Sequence, residues 1–155
     1  MTGKYGDEAV RLFCDVMRRI ELEKLSEMKL DSGAKMGAYA AALAGGGEMT
    51  AAIALDREYR PLGSAVLQRG GGALPEQFGD KIVKLCRRSG AKSTVICVSH
   101  RITPEEILSF GRLYLFLRLS GITFADLFEV CGCSYISVFS DLGSRVYPEE
   151  RAAEE

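Results

Sequence analysis

The sequence predicts an α/β (α+β) domain in which a mixed β-sheet is flanked by helices and preceded by an N-terminal helix. Two observations predict this class. Short apolar runs of strand length alternate with longer segments whose apolar residues recur at helical spacing. Clusters of glycine and proline divide these segments into the order α-α-β-β-α-β-α-β-β. Because strands alternate with helices, we expect a mixed sheet that helices cover.

Two helices are predicted before the first strand. Asp7 is expected to cap the first helix, and Asp31 and Ser32 offer a cap for the second. The glycine triplet 45–47 is expected to stop the second helix. The first helix has an apolar stripe at helical spacing, made of Val10, Phe13, Cys14, Met17 and Ile20.

A β-hairpin is predicted next, because two apolar runs flank a segment that resembles a turn. Met49–Leu55 and Leu62–Leu67 have the length of strands, and Asp56–Pro61 joins them. The second glycine triplet, residues 70–72, follows the hairpin. No G-K-[ST] sequence continues it, so we interpret it as a linker and not as a phosphate-binding loop.

The second half of the chain alternates helices and strands. Leu74-Pro75-Glu76 is expected to open a helix that Gly90 ends. β-Branched residues between Thr94 and Ser99 predict a central strand. The later elements are expected to be a helix over Pro104–Ser120 and two strands over Phe124–Val130 and Tyr135–Phe139.

The length of the chain indicates one domain. A chain of 155 residues can bury a substantial core. We expect residues 1–30 to form an N-terminal helical extension and residues 31–146 to form the domain itself. Residues 147–155 contain many charged and few apolar residues, which predicts a tail outside the core.

The composition argues against several classes of partner. The 20 Lys and Arg residues balance 21 Asp and Glu residues, so net charge favours neither nucleic acid nor an acidic membrane. Five cysteines without a regular framework indicate reduced thiols. The N-terminus has no apolar signal segment, and no apolar run is long enough to span a bilayer. We therefore expect a cytoplasmic protein without a membrane partner.

The only histidine, His100, follows the predicted central strand and stands just before a helix start. Thr103-Pro104-Glu105-Glu106 has the sequence of a capping box, in which Glu106 bonds back to the Thr103 amide. The alternative makes His100 and Glu106 metal ligands. A catalytic zinc usually takes three protein ligands, and these residues supply two at most. The capping interpretation accounts for Thr103 and Glu106 without any ligand.

Cysteines offer a second, weaker metal motif. Cys131-Gly132-Cys133 could chelate a soft metal together with Cys97. No second C-x-C or histidine pair completes the motif, so a turn at Gly132 is the favoured interpretation. Cys97 is most simply a small core residue on a strand.

The span from Asp31 to Gly143 resembles the RadC-like branch of the JAB/JAMM (MPN) family. Glu48 before Leu55-Asp56 is similar to the family's E-x-x-x-x-x-x-L-D segment, and Val95-Ile96-Cys97 is similar to its strand before H-N-H-P-S-G. The family's L-G-I, D-H-I-I-I-G and Y-S-F-x-x-x-G segments are matched in order by Gly121-Ile122, Asp126, Ser137-Val138-Phe139 and Gly143. The resemblance implies a JAB/MPN-like (cytidine-deaminase-like) fold with α-β-α layers.

The metal motif departs from the family pattern, which is H-x-H-P followed by S-x-x-D. Only His100 remains of the two histidines, and the Pro-Ser-Gly loop is shortened. The resemblance puts Thr103 at the serine position and Glu106 at the aspartate position. It makes Glu48 the vestigial general base, which in the family acts on a zinc-bound water. Ser99 and Thr103 would then support the site.

A metal-free and catalytically silent RadC-like domain is therefore the leading expectation, with a binding or scaffolding role and no cofactor. The alternative is a divergent zinc metallohydrolase acting on peptide or isopeptide bonds, with Glu48 as base and His100 and Glu106 as ligands. A weaker alternative is an accessory protein of DNA repair, which rests only on the family's older label. The residues do not identify a protein partner.

The helix Pro104–Ser120 predicts an additional contact. Its apolar residues lie nearly all round, so it needs cover on more than one side. The cover is expected from the sheet and from a second copy of the chain, because two-fold dimers are the commonest oligomers. We expect a homodimer through this helix or the first helix. The N-terminal helices are the alternative cover within one chain.

Overall fold

The computed structural model of the protein describes residues 5–141, which form an α+β fold around a five-stranded mixed sheet. The charged tail predicted for residues 147–155 lies outside the described residues. In chain order the elements are α1 (Asp7–Ser26), α2 (Gly33–Ala44), β1 (Met49–Leu55), β2 (Pro61–Arg69), a 3₁₀ turn (Pro75–Phe78), α3 (Gly79–Ser89), β3 (Ser93–Val98), α4 (Pro104–Leu119), β4 (Thr123–Cys131), β5 (Ser134–Ser137) and α5 (Val138–Asp141).

The sheet has the strand order β2-β1-β3-β4-β5. β1 and β2 form the predicted hairpin, and β1 also runs antiparallel to β3. β3 and β4 are parallel, with α4 as the crossover between them, and β5 returns antiparallel to β4. β3 is the central strand, as the sequence predicts, and all six of its residues are buried.

Both faces of the sheet carry a hydrophobic core, because side chains of a strand alternate between the two faces. Ile53, Val95 and Cys97 pack with residues of α1 and α2 on one face. Ala52, Ile96 and Val98 pack with residues of α3 and α4 on the other. Helices therefore cover the sheet on both sides.

The predicted helix starts are right in part. Ser32 caps α2, where its hydroxyl accepts a hydrogen bond from the Lys35 amide at 3.3 Å. Asp31 instead pairs with the Lys35 ammonium at 3.0 Å. The prediction that Asp7 caps α1 is wrong. Gly6 holds the cap position with a φ of 79°, and Asp7 is already the first helical residue.

The last predicted strand is shorter than expected. β5 ends at Ser137, and Val138 and Phe139 belong to the short helix α5. The physical reason is a local cap, since the Ser137 hydroxyl accepts a hydrogen bond from the Ser140 amide at 3.1 Å. This bond turns the chain out of the sheet.

α4 is less covered than the sequence predicts. Phe110 and Leu117 are buried in the core that α4 shares with α3 and the sheet. The N-terminal helices do not provide the second cover, because α1 and α2 lie on the opposite face of the sheet. Leu115 and Leu119 remain exposed. The expected homodimer stays a prediction.

Candidate functional site

Glu48 and His100 are brought together by strand pairing. β1 and β3 are antiparallel, with Thr50 opposite Val98. Glu48 lies two residues before Thr50 and His100 lies two residues after Val98, so both reach the same edge of the sheet. Glu106 joins them because α4 starts six residues after the end of β3 and Glu106 lies in its first turn. The three predicted site residues thus meet at one place.

These three side chains line a cleft of about 420 Å³. The hairpin end supplies the opposite wall, through Gln68 and the glycines of residues 70–72. The Glu48 carbonyl accepts a hydrogen bond from the Gly70 amide at 3.2 Å, which closes the hairpin beside the cleft. Sequence reasoning missed Gln68, because its place in the cleft depends on the β1–β2 register and on no local motif.

Glu106 has both carboxylate oxygens engaged. Oε1 accepts a hydrogen bond from the Thr103 amide at 3.0 Å, while the Thr103 hydroxyl accepts one from the Glu106 amide at 3.2 Å. This reciprocal pair confirms the predicted capping box. Oε2 lies 2.7 Å from Nε2 of His100. His100 and Glu106 are therefore partners of each other.

The hydrogen bonds around Glu106 also shift its titration. Burial acts to raise the pKa of this carboxyl, but the hydrogen bonds from Thr103 and His100 outweigh burial. The net pKa of Glu106 lies below its ordinary value of 4.5. Glu106 is therefore a charged group at neutral pH, held by a backbone amide and an imidazole.

Ser99 supports the site from behind. Its hydroxyl accepts a hydrogen bond from the Met49 amide at 2.7 Å and lies 3.1 Å from the Met49 carbonyl. These contacts fasten the start of β1 to the end of β3, next to Glu48 and His100. Ser99 does not line the cleft itself. Its contribution is to hold the two strand ends in register.

The donor set does not fit a catalytic zinc. Such a zinc usually takes three protein ligands and keeps one open position. Across residues 5–141, no group of three or more His, Cys, Asp or Glu side chains is arranged to hold a metal ion. His100 and Glu106 are engaged with each other, and Glu48 is exposed at the rim. The cleft therefore assembles the expected residues without a ligand set for zinc.

The cysteine motif is not brought together either. Cys97 is fully buried. Its thiol donates a hydrogen bond to the Ala51 carbonyl at 3.7 Å, and burial raises the pKa of the thiol to about 12. Cys131 and Cys133 are exposed at the turn between β4 and β5. Gly132 between them has a φ of 60°, as a turn requires. The turn interpretation is confirmed.

A second concave region was not predicted as a site. An apolar groove of about 600 Å³ lies between α1, α2 and the β4–β5 turn. Phe13 and Met17 of α1 line it, together with alanines of α2 and with Tyr135. The apolar stripe of α1 was visible in the sequence. Its exposure was not, because exposure depends on which elements pack against α1.

Two comparisons bear on what this fold and cleft belong to. Matching the chain against models of protein families and against curated proteins found no match in either case. In the part of the chain that the structure describes, no helix is both long and apolar enough to cross a membrane. The family resemblance consequently rests on the residues that carry it.

Proposed function

We propose that the protein is a metal-free, catalytically silent domain of the RadC-like JAB/MPN type, which acts as a binding or scaffolding module. The α-β-α arrangement and the order of the landmarks along the chain support this family. Two of those landmarks also touch, since the Ser137 hydroxyl donates to the buried Asp126 carboxylate at 2.9 Å. Glu48 and His100 also lie at the same sheet edge, which is compatible with the resemblance.

The pairing of His100 with Glu106 is the observation that carries catalytic silence. A zinc ligand must present a free lone pair to the metal. Oε2 of Glu106 faces the imidazole at 2.7 Å, and Oε1 holds the helix cap at 3.0 Å. Binding zinc through Nε2 of His100 would therefore break this contact, and two ligands would still be too few.

The alternative function is a divergent zinc metallohydrolase acting on peptide or isopeptide bonds. The observation in its favour is that Glu48, His100 and Glu106 line the same cleft. A carboxylate base close to two potential ligands is what that chemistry needs. In that case Glu48 would be the catalytic residue.

Glu48→Gln separates the two functions. Peptide and isopeptide substrates are incubated with the protein, with and without added zinc, and the melting temperature is measured in parallel. We expect no turnover by the wild type, and a stability change within about 0.5 kcal/mol because Glu48 is exposed. Glu105→Gln is the matched control, since Glu105 is exposed and does not line the cleft.

One outcome would overturn the proposal. It is turnover by the wild type that Glu48→Gln abolishes at an unchanged melting temperature, while Glu105→Gln retains it. Such a result would assign the general base to Glu48 and the protein to the hydrolases.

A further inference from the structure

α1 leaves most of its apolar surface in solvent. Leu25 is the only fully buried residue among its twenty. Six large apolar side chains are each between 44% and 66% exposed, namely Val10, Leu12, Phe13, Val16, Met17 and Ile20. Among residues 5–141, no element covers this face. Contiguous apolar patches of this kind mark interaction surfaces more often than free surface.

The spacing of the exposed residues is that of a helix-pairing seam. Val10, Phe13, Met17 and Ile20 follow one another at intervals of three, four and three. Apolar residues at alternating intervals of three and four form the a and d positions of paired helices. The run 3-4-3 also reads the same in both directions. An identical helix laid antiparallel would therefore place Val10 opposite Ile20 and Phe13 opposite Met17.

The groove beside α1 matches this seam. Phe13 and Met17 form one wall, and Ala38, Ala41 and Ala42 of α2 form the floor. Small side chains on the floor let a second helix approach closely. The same residues of α1 can thus line the groove of one copy and fill the groove of the other, which is the property of a two-fold interface.

We propose that this face binds a second copy of the chain, with the two α1 helices antiparallel across a two-fold axis. This orientation follows from the symmetric 3-4-3 spacing. The charges favour neither orientation, because Asp7 and Glu8 lie in the first turn of α1 while Glu23 stands beside Lys24 near its end. The inference is independent of the proposed function, because the groove and the cleft share no residue.

The exposed area suffices for a dimer. Six half-exposed side chains of this size offer roughly 500 Å² of apolar surface per copy. Two copies with their flanking residues would bury roughly 1,000–1,200 Å² in total, the lower end of specific interfaces. A dissociation constant in the micromolar range is therefore expected rather than a permanent assembly.

α4 is the poorer candidate for this contact. Its exposed leucines Leu108, Leu115 and Leu119 lie on one seam, but Arg112 also lies on that seam, between Leu108 and Leu115. Arg112 pairs with Glu76 at 3.2 Å and is itself well exposed. A charge in the seam opposes helix pairing, and α1 has none between Val10 and Ile20 at seam positions.

Sedimentation equilibrium of the full chain tests the proposal. The wild type is expected to associate to a dimer between about 1 and 100 µM. Met17→Glu should raise the dissociation constant at least about tenfold, because it puts an unpaired charge into the seam. Leu115→Glu, on the exposed side of α4, is the matched control and should leave association unchanged. Circular dichroism checks that both variants stay folded.

Thiol labelling gives an independent reading. Cys14 and Cys133 line the groove, whereas Cys131 is exposed outside it. In the dimer, labelling of Cys14 and Cys133 should slow several-fold as protein concentration rises, while the labelling rate of Cys131 stays constant.

A wild type that is monomeric at 100 µM (roughly the upper end of a weak interface) would overturn the proposal. So would association that Leu115→Glu abolishes and Met17→Glu does not. If Cys14 and Cys133 were protected in a monomer at every concentration, residues of the same chain would cover the groove, and this result would also overturn the proposal.

Discussion

The cleft and the groove differ in how their side chains are partnered. At the cleft, Glu106 bonds both Thr103 and His100, so these three residues find polar partners within a single copy. In the groove, Phe13 and Met17 remain about half exposed or more. Polar groups can be satisfied by a neighbour six residues away, but apolar surface needs a second surface to cover it. The contacts of Glu106 with Thr103 and His100 thus have a structural explanation, and the groove is where a partner is expected.

The largest effect is expected on the groove side, at Gly37. The ring of Tyr135 lies against this glycine of α2, where a Cβ would overlap it. The Tyr135 hydroxyl also donates to the Ala34 carbonyl at 3.2 Å, which fixes the ring. We expect Gly37→Ala to lower the free energy of unfolding by about 1–3 kcal/mol or more through overpacking, measured by chemical denaturation.

Gly111→Ala is the matched control for Gly37→Ala. Gly111 lies in α4, and a Cβ there would meet no atom within 4 Å. Alanine should stabilise the helix by up to about 1 kcal/mol. If Gly37→Ala were as harmless as Gly111→Ala, Tyr135 would not be packed on α2 and the groove would have a different wall.

The next effect is expected on the cleft side, at Thr103. Thr103→Ala removes the hydroxyl that accepts a hydrogen bond from the Glu106 amide at 3.2 Å. The expected loss is about 0.5–2 kcal/mol, measured as the change in free energy of unfolding. Thr103→Ser keeps the hydroxyl and should retain most of the stability. Unchanged stability in Thr103→Ala would remove the structural explanation of that residue.

The smallest effect is expected for the charge of Glu106. Glu106→Gln keeps an acceptor for the Thr103 amide but loses the carboxylate that faces His100. The pKa of Glu106 is lowered in the folded protein, so its charge stabilises the fold above pH 4.5 and this stabilisation is lost as pH falls through the lowered value. At pH 7 the free energy of unfolding of the wild type should be higher than that of Glu106→Gln by less than about 1 kcal/mol.

Denaturation of both proteins between pH 7 and pH 3 (about four pH units, which span ordinary carboxyl titration) measures this difference. The gap should shrink towards the acidic end. A gap that keeps its size throughout would mean that packing around Glu106, and not its charge, is what the substitution disturbs.

Local features were predictable from the sequence because their causes are local. The bounds of β1 agree with the predicted Met49–Leu55, and the capping box at Thr103 has the predicted bonds. The cap of α1 was misassigned because a glycine with positive φ can hold the same position as a capping side chain. β5 was overextended because Val138 and Phe139 suit a strand, whereas the Ser137 cap starts a helix there.

The sequence predicted which residues form the candidate site but not how they are arranged. Glu48, His100 and Glu106 could be named, but their meeting depends on the antiparallel β1–β3 register. The direct bond between His100 and Glu106 depends in turn on where α4 begins relative to β3. Neither distance is encoded by spacing along the chain. The exposure of α1 was beyond sequence reasoning for the same reason, since its apolar stripe is equally suited to a core.

Metal content tests catalytic silence most directly. The protein is purified without a chelator or an affinity tag, and zinc is measured by mass spectrometry against protein concentration. Because His100 and Glu106 engage each other at 2.7 Å, we predict zinc far below one ion per chain, with the same low value in His100→Ala. One tightly bound zinc per chain in the wild type, lost in His100→Ala, would contradict the proposed function and favour the metallohydrolase.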